Sequence, residues 1–411
     1  MKRQQHQKRK QNFRRNIIIA SVIMIILIAT SAYLLANQQN EKKQVKETAT
    51  TTTSSKQKQD KESKSSEQKI TITASGDMLY HDIVYGSAFD GQNYDFSNDY
   101  EQITPLVSSA DLALGDFEGT INPNRELSGY PIFNAPEAVI PSIKNAGYDA
   151  LDLAHNHILD TGIEGLVYTA TAFQKAGIDT FGVNVPNDDI LVKEINGIKV
   201  AILGFSYGFN GIEESISQTD YDRYLNDLNM DHVKEKIQTA EKIADLTVVM
   251  PQSGVEYSLE PTEEQQTKYR QMVDYGADII FGGHPHVAEP TEIIEKDGAK
   301  KFIIYSMGNL LSNQRYETLE NYWTERGVIM EVEVTKKNNQ TTLTNVQAHP
   351  TWVSREPIDR TFLGYPAYDY QVFLAEDYLS GGKYADTVSE EKRQRIETAY
   401  HEMMDLLNIQ W

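Results

Sequence analysis

The chain contains no cysteine in 411 residues. That excludes a disulfide framework, a thiolate nucleophile and a thiolate metal site. Positive charge is scarce beyond the start. Residues 1–15 hold seven Lys/Arg and no acid, so a net charge of −20 overall leaves −27 for everything after them. A body that acidic has no basic face for nucleic acid, and no nucleic-acid partner is expected. No internal repeat is present, which sets aside solenoid and propeller architectures.

One long charge-free run is present, at 17–36. Twenty such residues are enough to cross a hydrocarbon core of about 30 Å. The basic residues before it are expected to stay in the cytoplasm, so the body is expected outside, on a single-pass anchor spanning 16–36. The run is longer than a signal-peptide core and lacks a clear small-residue exit site, so it reads as uncleaved. Residues 37–68 are rich in Gln, Lys, Glu, Thr and Ser and cannot build a core. They read as a flexible stalk.

At residue 69 the pattern changes. Short runs rich in Val, Ile and Leu alternate with longer amphipathic stretches through to about 310. Strands are predicted at 70–74, 111–114, 148–153, 198–203, 246–250, 278–281 and 302–305. Helices are predicted at 100–110, 136–146, 165–176, 231–244 and 262–275. This alternation predicts an α/β fold, a layered sandwich with an internal sheet. The runs 327–334 and 341–346, separated by Lys and Asn, predict a late hairpin. Residues 389–407 predict a helix with Ile396, Tyr400, Met403, Met404 and Leu407 on one stripe. The expected body is therefore 69–350, with 351–411 as a C-terminal extension.

Polar residues fall just after the apolar strands. Asp77, then Asp116 with Glu118, then Asn156 with His157, then His284 with His286 each come directly after such a run. Ligands bind at the C-terminal ends of strands in α/β sheets. If these strands share one sheet, carboxylates, an amide and imidazoles meet on one rim. Clustered carboxylates repel, and a cation resolves the conflict. Oxygen and nitrogen ligands together suit Mn, Fe or Zn, as one or two ions. The bland alternatives are helix caps for Asp77 and Asp116 and plain loop positions for the histidines. Asn309 reads as a turn residue, and His6, His232 and His349 read as surface or loop positions.

These motifs resemble a known family. Gly76-Asp77, Gly115-Asp116-Phe117-Glu118, Asn156-His157 and Gly283-His284-Pro285-His286 resemble the ordered motifs of calcineurin-like metallophosphoesterases. The stretches at 153–160, 254–257, 276–280, 284–287 and 305–309 are similar to the bacterial CapA branch, whose members serve poly-γ-glutamate synthesis and export. The resemblance spans roughly 69–315. It implies that Asp77 and His286 hold one metal, Asn156 and His284 a second, and Asp116 or Glu118 bridges them. It implies that His157 donates a proton or hydrogen bond to a leaving oxygen, with His155 and Asp160 supporting. Two positions depart from the wider superfamily. Leu79 stands where a histidine is usual, with His81 nearby. Gln252 stands where another histidine is usual, with Glu256 four residues on. The implied partners are the membrane, a polymer synthase or exporter, and an anionic polymer or a phosphate ester. The resemblance leaves open an active phosphoesterase or a non-catalytic scaffold subunit.

Overall fold

The structure, a computed structural model, describes residues 67–187 and 190–411. The described residues belong to one compact unit, Ser65–Trp411. The expected basic tail, anchor and nearly all of the stalk lie outside the described residues. Among the described residues no helix is long and apolar enough to cross a membrane.

The fold is mixed α/β and is built on two sheets. The first contains β1 (Gln68–Met78), β2 (Leu112–Asp116), β3 (Ala150–Asp152) and β4 (Asp179–Phe181), all parallel. The second contains β5 (Leu191–Ile195), β6 (Ile198–Ser206), β7 (Leu246–Gln252), β8 (Ile279–Phe281), β9 (Thr291–Lys296) and β10 (Ala299–Ile304). Its order is β5-β6-β7-β8-β10-β9, with β6, β7, β8 and β10 parallel. The chain then returns to the first sheet. β11 (Asn309–Leu311) pairs with β1, and β12 (Arg326–Lys337), β13 (Gln340–Phe362) and β14 (Tyr365–Leu374) extend it antiparallel on the other side of β1.

Period-two alternation decides which side chains meet. Ile70, Ile72, Leu112 and Leu114 of the first sheet pack against Val200, Ile202, Val248 and Phe281 of the second. Their neighbours point the other way. Ala113 and Leu151 meet helices Val139–Ala146 and Gly162–Lys175. Ala201, Leu203 and Val249 meet helices Met230–Ile243 and Glu263–Tyr275. The result is four layers, helix, sheet, sheet, helix. The last helix starts with a capping box in which the Thr262 side chain and Gln265 satisfy each other's backbone N–H groups.

One condition is not met and two expectations are corrected. The strands carrying the polar residues do not share one sheet. Asp77 and Asp116 end strands of the first sheet, whereas His284 and His286 come after β8 in the second. A short apolar run carries no label for its sheet, so sequence alone could not divide them. The boundary expected at 350/351 falls inside β13, which pairs with β12 and β14 through that point. The helix expected over 100–110 shrinks to Thr104–Val107.

The C-terminal helix, Glu390–Leu407, packs Ile396 and Ala399 on Trp352 and Phe373, with Tyr400 beside them. It is also tied down by charge. Glu325 is fully buried and accepts from Trp352 Nε1 (2.9 Å) and Arg395 Nε (2.7 Å), with Arg315 at 3.6 Å. Removing one partner of a buried network strands the others. Glu325→Ala is expected to cost about 3 kcal/mol, measured as a shift in the urea midpoint. Glu317 accepts from Arg315 Nε (2.6 Å) and Arg395 Nη1 (2.7 Å). Burial opposes its charge, but the two guanidinium groups outweigh this and lower its pKa to about 2 from an ordinary 4.5. A depressed acid stabilises the fold above its unfolded pKa and loses that contribution as pH falls. The Glu317 contribution is therefore full above about pH 4.5 and declines towards pH 2. Glu317→Gln should flatten the pH dependence of the urea midpoint in that window.

Candidate metal centre

Sheet register sets the centre. Asp77 lies opposite Asp116 across β1 and β2, and opposite Asn309 across β1 and β11. Gln252, the last residue of β7, bridges to Gly283 beyond β8. A side chain built on Gly283 would stand 3.2 Å from Asp77 Oδ1, 3.5 Å from Asp116 Oδ2 and 3.6 Å from Gln252 Nε2. The missing side chain thus lets the second sheet's strand ends close against the first sheet's carboxylates. His284 and His286 have φ of 95° and 58°. Left-handed backbone at two non-glycine residues so close together is costly and persists only where the surroundings enforce it.

The groups at the strand ends are buried. His286 Nδ1 is 3.0 Å from Asp77 Oδ2, 3.2 Å from Asn309 Oδ1 and 3.8 Å from Glu118 Oε2. Asp77, Glu118 and His286 offer ligand atoms that all lie within 4.8 Å of one another. Asp116 accepts from Gln252 Nε2 at 2.5 Å. Asn156 Nδ2 donates to Asn210 Oδ1 (3.2 Å). His157 Nδ1 meets Asp160 Oδ2 at 2.8 Å, and the same oxygen accepts from the Phe133 N–H at 2.6 Å. That carboxylate fixes the His157 ring and leaves Nε2 as its working nitrogen.

The electrostatics are unfavourable as the groups stand. Burial, then Asp77 and Asp152, push the Asp116 carboxyl well above the carboxylate range despite the Gln252 hydrogen bond. Burial, then Asp77 and Asp116, do the same to Glu118. Burial, then the imidazoles of His286 and His157, lower His284 to about 3, so it is neutral. Burial also lowers His81 to about 4 and pushes His155 well down. Seven polar atoms here are buried without a hydrogen-bond partner. They are Asp77 Oδ1, Asp116 Oδ1, both Glu118 oxygens, Asn156 Oδ1, Gln252 Oε1 and His284 Nδ1. A buried polar atom left unpaired costs about 1–3 kcal/mol. Six oxygens and the ring nitrogen of a neutral imidazole form a set that suits a divalent cation.

Beside the centre lies a cavity of about 350 Å³. His81, His157 and His286 line it with Leu79, Phe133, Tyr130, Glu256 and Tyr257. His81 is not among the three clustered ligands. Its Nδ1 faces the Asn313 N–H at 3.4 Å. Glu256 is an exposed residue on the cavity wall. Neither Asp77 nor Asp116 caps a helix, since both sit within strands.

Two further expectations fail. Asn309 is no free turn residue. It is fully buried at the start of β11, and its Nδ2 donates to the carbonyls of His286 (3.2 Å) and Thr324 (2.9 Å). The preceding Gly308, with φ of 67°, supplies the turn. His349 is buried in β13 against Glu376 at 3.1 Å, rather than on the surface. His232 lies in helix Met230–Ile243, partly buried, with its ring against Phe205.

Comparison with known proteins finds relatives of this chain. The family described as bacterial capsule synthesis protein PGA_cap matches residues 71–314. The capsule biosynthesis protein CapA of Bacillus anthracis is 30% identical over 259 residues, covering 60% of this chain and 61% of that protein. The PGA biosynthesis protein CapA of Bacillus subtilis is 29% identical over 228 residues, covering 52% and 57%. The chain thus spans about three fifths of the length of these relatives. Among solved structures, the calcineurin-like phosphoesterase YfkN of Bacillus subtilis is similar at 12% identity and a TM-score of 0.41, covering 84% of this chain and all of that one.

Proposed function

Because this chain belongs to the bacterial capsule synthesis protein family PGA_cap, we propose that it supports the synthesis or export of a capsular polymer of the poly-γ-glutamate type. In this reading it works from outside the cell, anchored by residues 16–36 next to a membrane synthase or exporter. Its centre holds a divalent cation on a metallophosphoesterase-like scaffold.

The observation that carries the metal is the set of seven unpaired buried donors around Asp77, Glu118 and His286. Asp77, Glu118 and His286 would hold the cation, with Asp116, Asn156, Gln252 and His284 around it. A bound cation supplies positive charge that an acidic body otherwise lacks for meeting an anionic chain. Asp160 orients His157, whose Nε2 is placed to give a proton to, or take one from, a ligand in the cavity. Gln252 spends its amide N–H on Asp116 and is neutral, and Leu79 offers no ligand atom. Both weigh towards one well-built cation site rather than two, and against fast phosphodiester turnover.

The test measures metal content, hydrolysis of a generic phosphodiester and polymer output in cells lacking the chromosomal copy. Bound metal and restored polymer from the wild-type chain, lost in His286→Ala, support the proposal. Full polymer output from His286→Ala would sink the metal's part in it. Rapid phosphodiester turnover that needs Asp77 and His284 would instead make the chain a phosphoesterase.

A further inference from the structure

The matched region ends at residue 314, yet the strands beyond it reach the cavity through one side chain. Asn313 lines the cavity. Its Oδ1 accepts from Arg355 Nη1 (3.1 Å) in β13 and from Tyr370 Oη (2.7 Å) in β14. Turning the amide over would set its NH₂ against a guanidinium group, so the orientation is fixed by its partners. Among the described residues Asn313 Nδ2 has no acceptor, and it is the polar end left for the cavity. Bonding the oxygen to a cation polarises the amide and strengthens its N–H as a donor. Arg355 itself stacks over Tyr368, 4.3 Å from the ring centroid, which holds the guanidinium in place.

The rest of the lining narrows the ligand. Among the described residues no Lys or Arg lines this cavity, while Glu256 does. Tyr130, Phe133 and Tyr257 give flat, largely apolar walls. A phosphodiester segment has no N–H to offer Glu256. A secondary amide offers both groups at once, an acceptor oxygen for Asn313 and an N–H for Glu256, in a flat group that suits aromatic walls.

We infer that Asn313 and Glu256 recognise an amide bond of the ligand, with Asn313 Nδ2–H on its carbonyl oxygen and the Glu256 carboxylate on its N–H. Arg355 and Tyr370 are positioning residues for Asn313, and the C-terminal strand pair thereby becomes part of the binding site. This rests on the capsular-polymer reading and names the bond which that site recognises.

The test titrates the full-length chain in detergent with a γ-linked glutamate tetramer and with an analogue whose amides are replaced by esters. Calorimetry is run in EDTA and in Mn²⁺, with metal content measured beside it. The wild type is expected to prefer the amide tetramer. Asn313→Asp keeps the shape and the Arg355 contact but replaces the donor with an acceptor, and should weaken tetramer binding about tenfold. Tyr370→Phe should weaken it about threefold. Both should leave metal content unchanged, which separates lost recognition from lost folding. Equal affinity for the ester analogue, no tetramer binding by the wild type, or Asn313→Asp within twofold of wild type each overturn the inference. If Asn313-dependent tetramer binding persists in a chain that takes up no metal, the inference stands and the metal reading fails.

Discussion

Replacing Asp77 with Asn is expected to abolish cation binding while leaving the metal-free chain at least as stable as before. The two effects have opposite signs because Asp77 does two things. It offers Oδ1, which is buried with no partner, and it sits 3.0 Å from His286 through Oδ2. It is also the neighbouring charge that, after burial, most opposes ionisation of Asp116 and Glu118. Asn keeps the shape and one weak carbonyl ligand but removes the charge. Affinity for Mn²⁺ should fall by more than about 100-fold, beyond the loss usual for groups that only support a ligand. Loss of repulsion in the metal-free centre should hold or raise its melting temperature. A ligand present at 100 times its Kd stabilises by about 2.7 kcal/mol, so added Mn²⁺ should raise the wild-type melting temperature and leave Asp77→Asn unmoved. Thermal melts with and without Mn²⁺ read both effects. An unchanged Mn²⁺ response in Asp77→Asn would show that the cation, if bound, sits elsewhere.

Much of this centre was legible in the sequence because its residues come directly after apolar runs. Asp77, Asp116 and Glu118, His157, and His284 with His286 are all at strand ends or just past them, buried as a group. The division into two sheets was not legible, since β8 has three residues and β3 has three, too short to show where they pair. Edge strands were also hidden. β5 and β9 read LVKEI and TEIIEK, mostly half-exposed, so apolar alternation is diluted by the charges that protect an edge. β14 contains Pro366 and two polar interruptions, and its strand character comes from pairing with β13. Asn309, His349 and Asn313 share one reason for being misread or missed. Each owes its environment to partners distant in sequence. Asn309 faces His286, His349 meets Glu376, and Asn313 is clamped by Arg355 and Tyr370. A local motif carries the residues at the end of its own strand, but not the partners that arrive from another element.

Gly76→Ala tests the backbone that makes the centre possible. A methyl group on Gly76 would stand 1.9 Å from the Gly308 carbonyl oxygen and 3.0 Å from its carbon. Both atoms are backbone, so no side chain can swing aside. Gly308 cannot retreat easily either. It has φ of 67°, and a substituent there would already be 2.9 Å from the Ala288 nitrogen. The next residue makes the contact that this closeness allows, with the Asp77 N–H donating to the Gly308 carbonyl at 3.1 Å. Adding the methyl must therefore part β1 from β11, costing about 3 kcal/mol as overpacking against backbone. The same movement carries Asp77 away from Asn309, its partner in register, and from His286. Gly298→Ala is the matching control. It also has positive φ, 77°, but nothing lies within 4 Å of the added carbon. That change should cost about 1 kcal/mol from backbone strain alone and leave cation affinity unchanged. Urea midpoints for both variants, with Mn²⁺ titrations performed where each is fully folded, separate the two effects. Gly76→Ala should lose affinity at least tenfold beyond its loss of stability, because it moves a ligand as well as a strand. If it loses stability but binds Mn²⁺ like the wild type, Asp77 does not depend on the β1–β11 contact for its position.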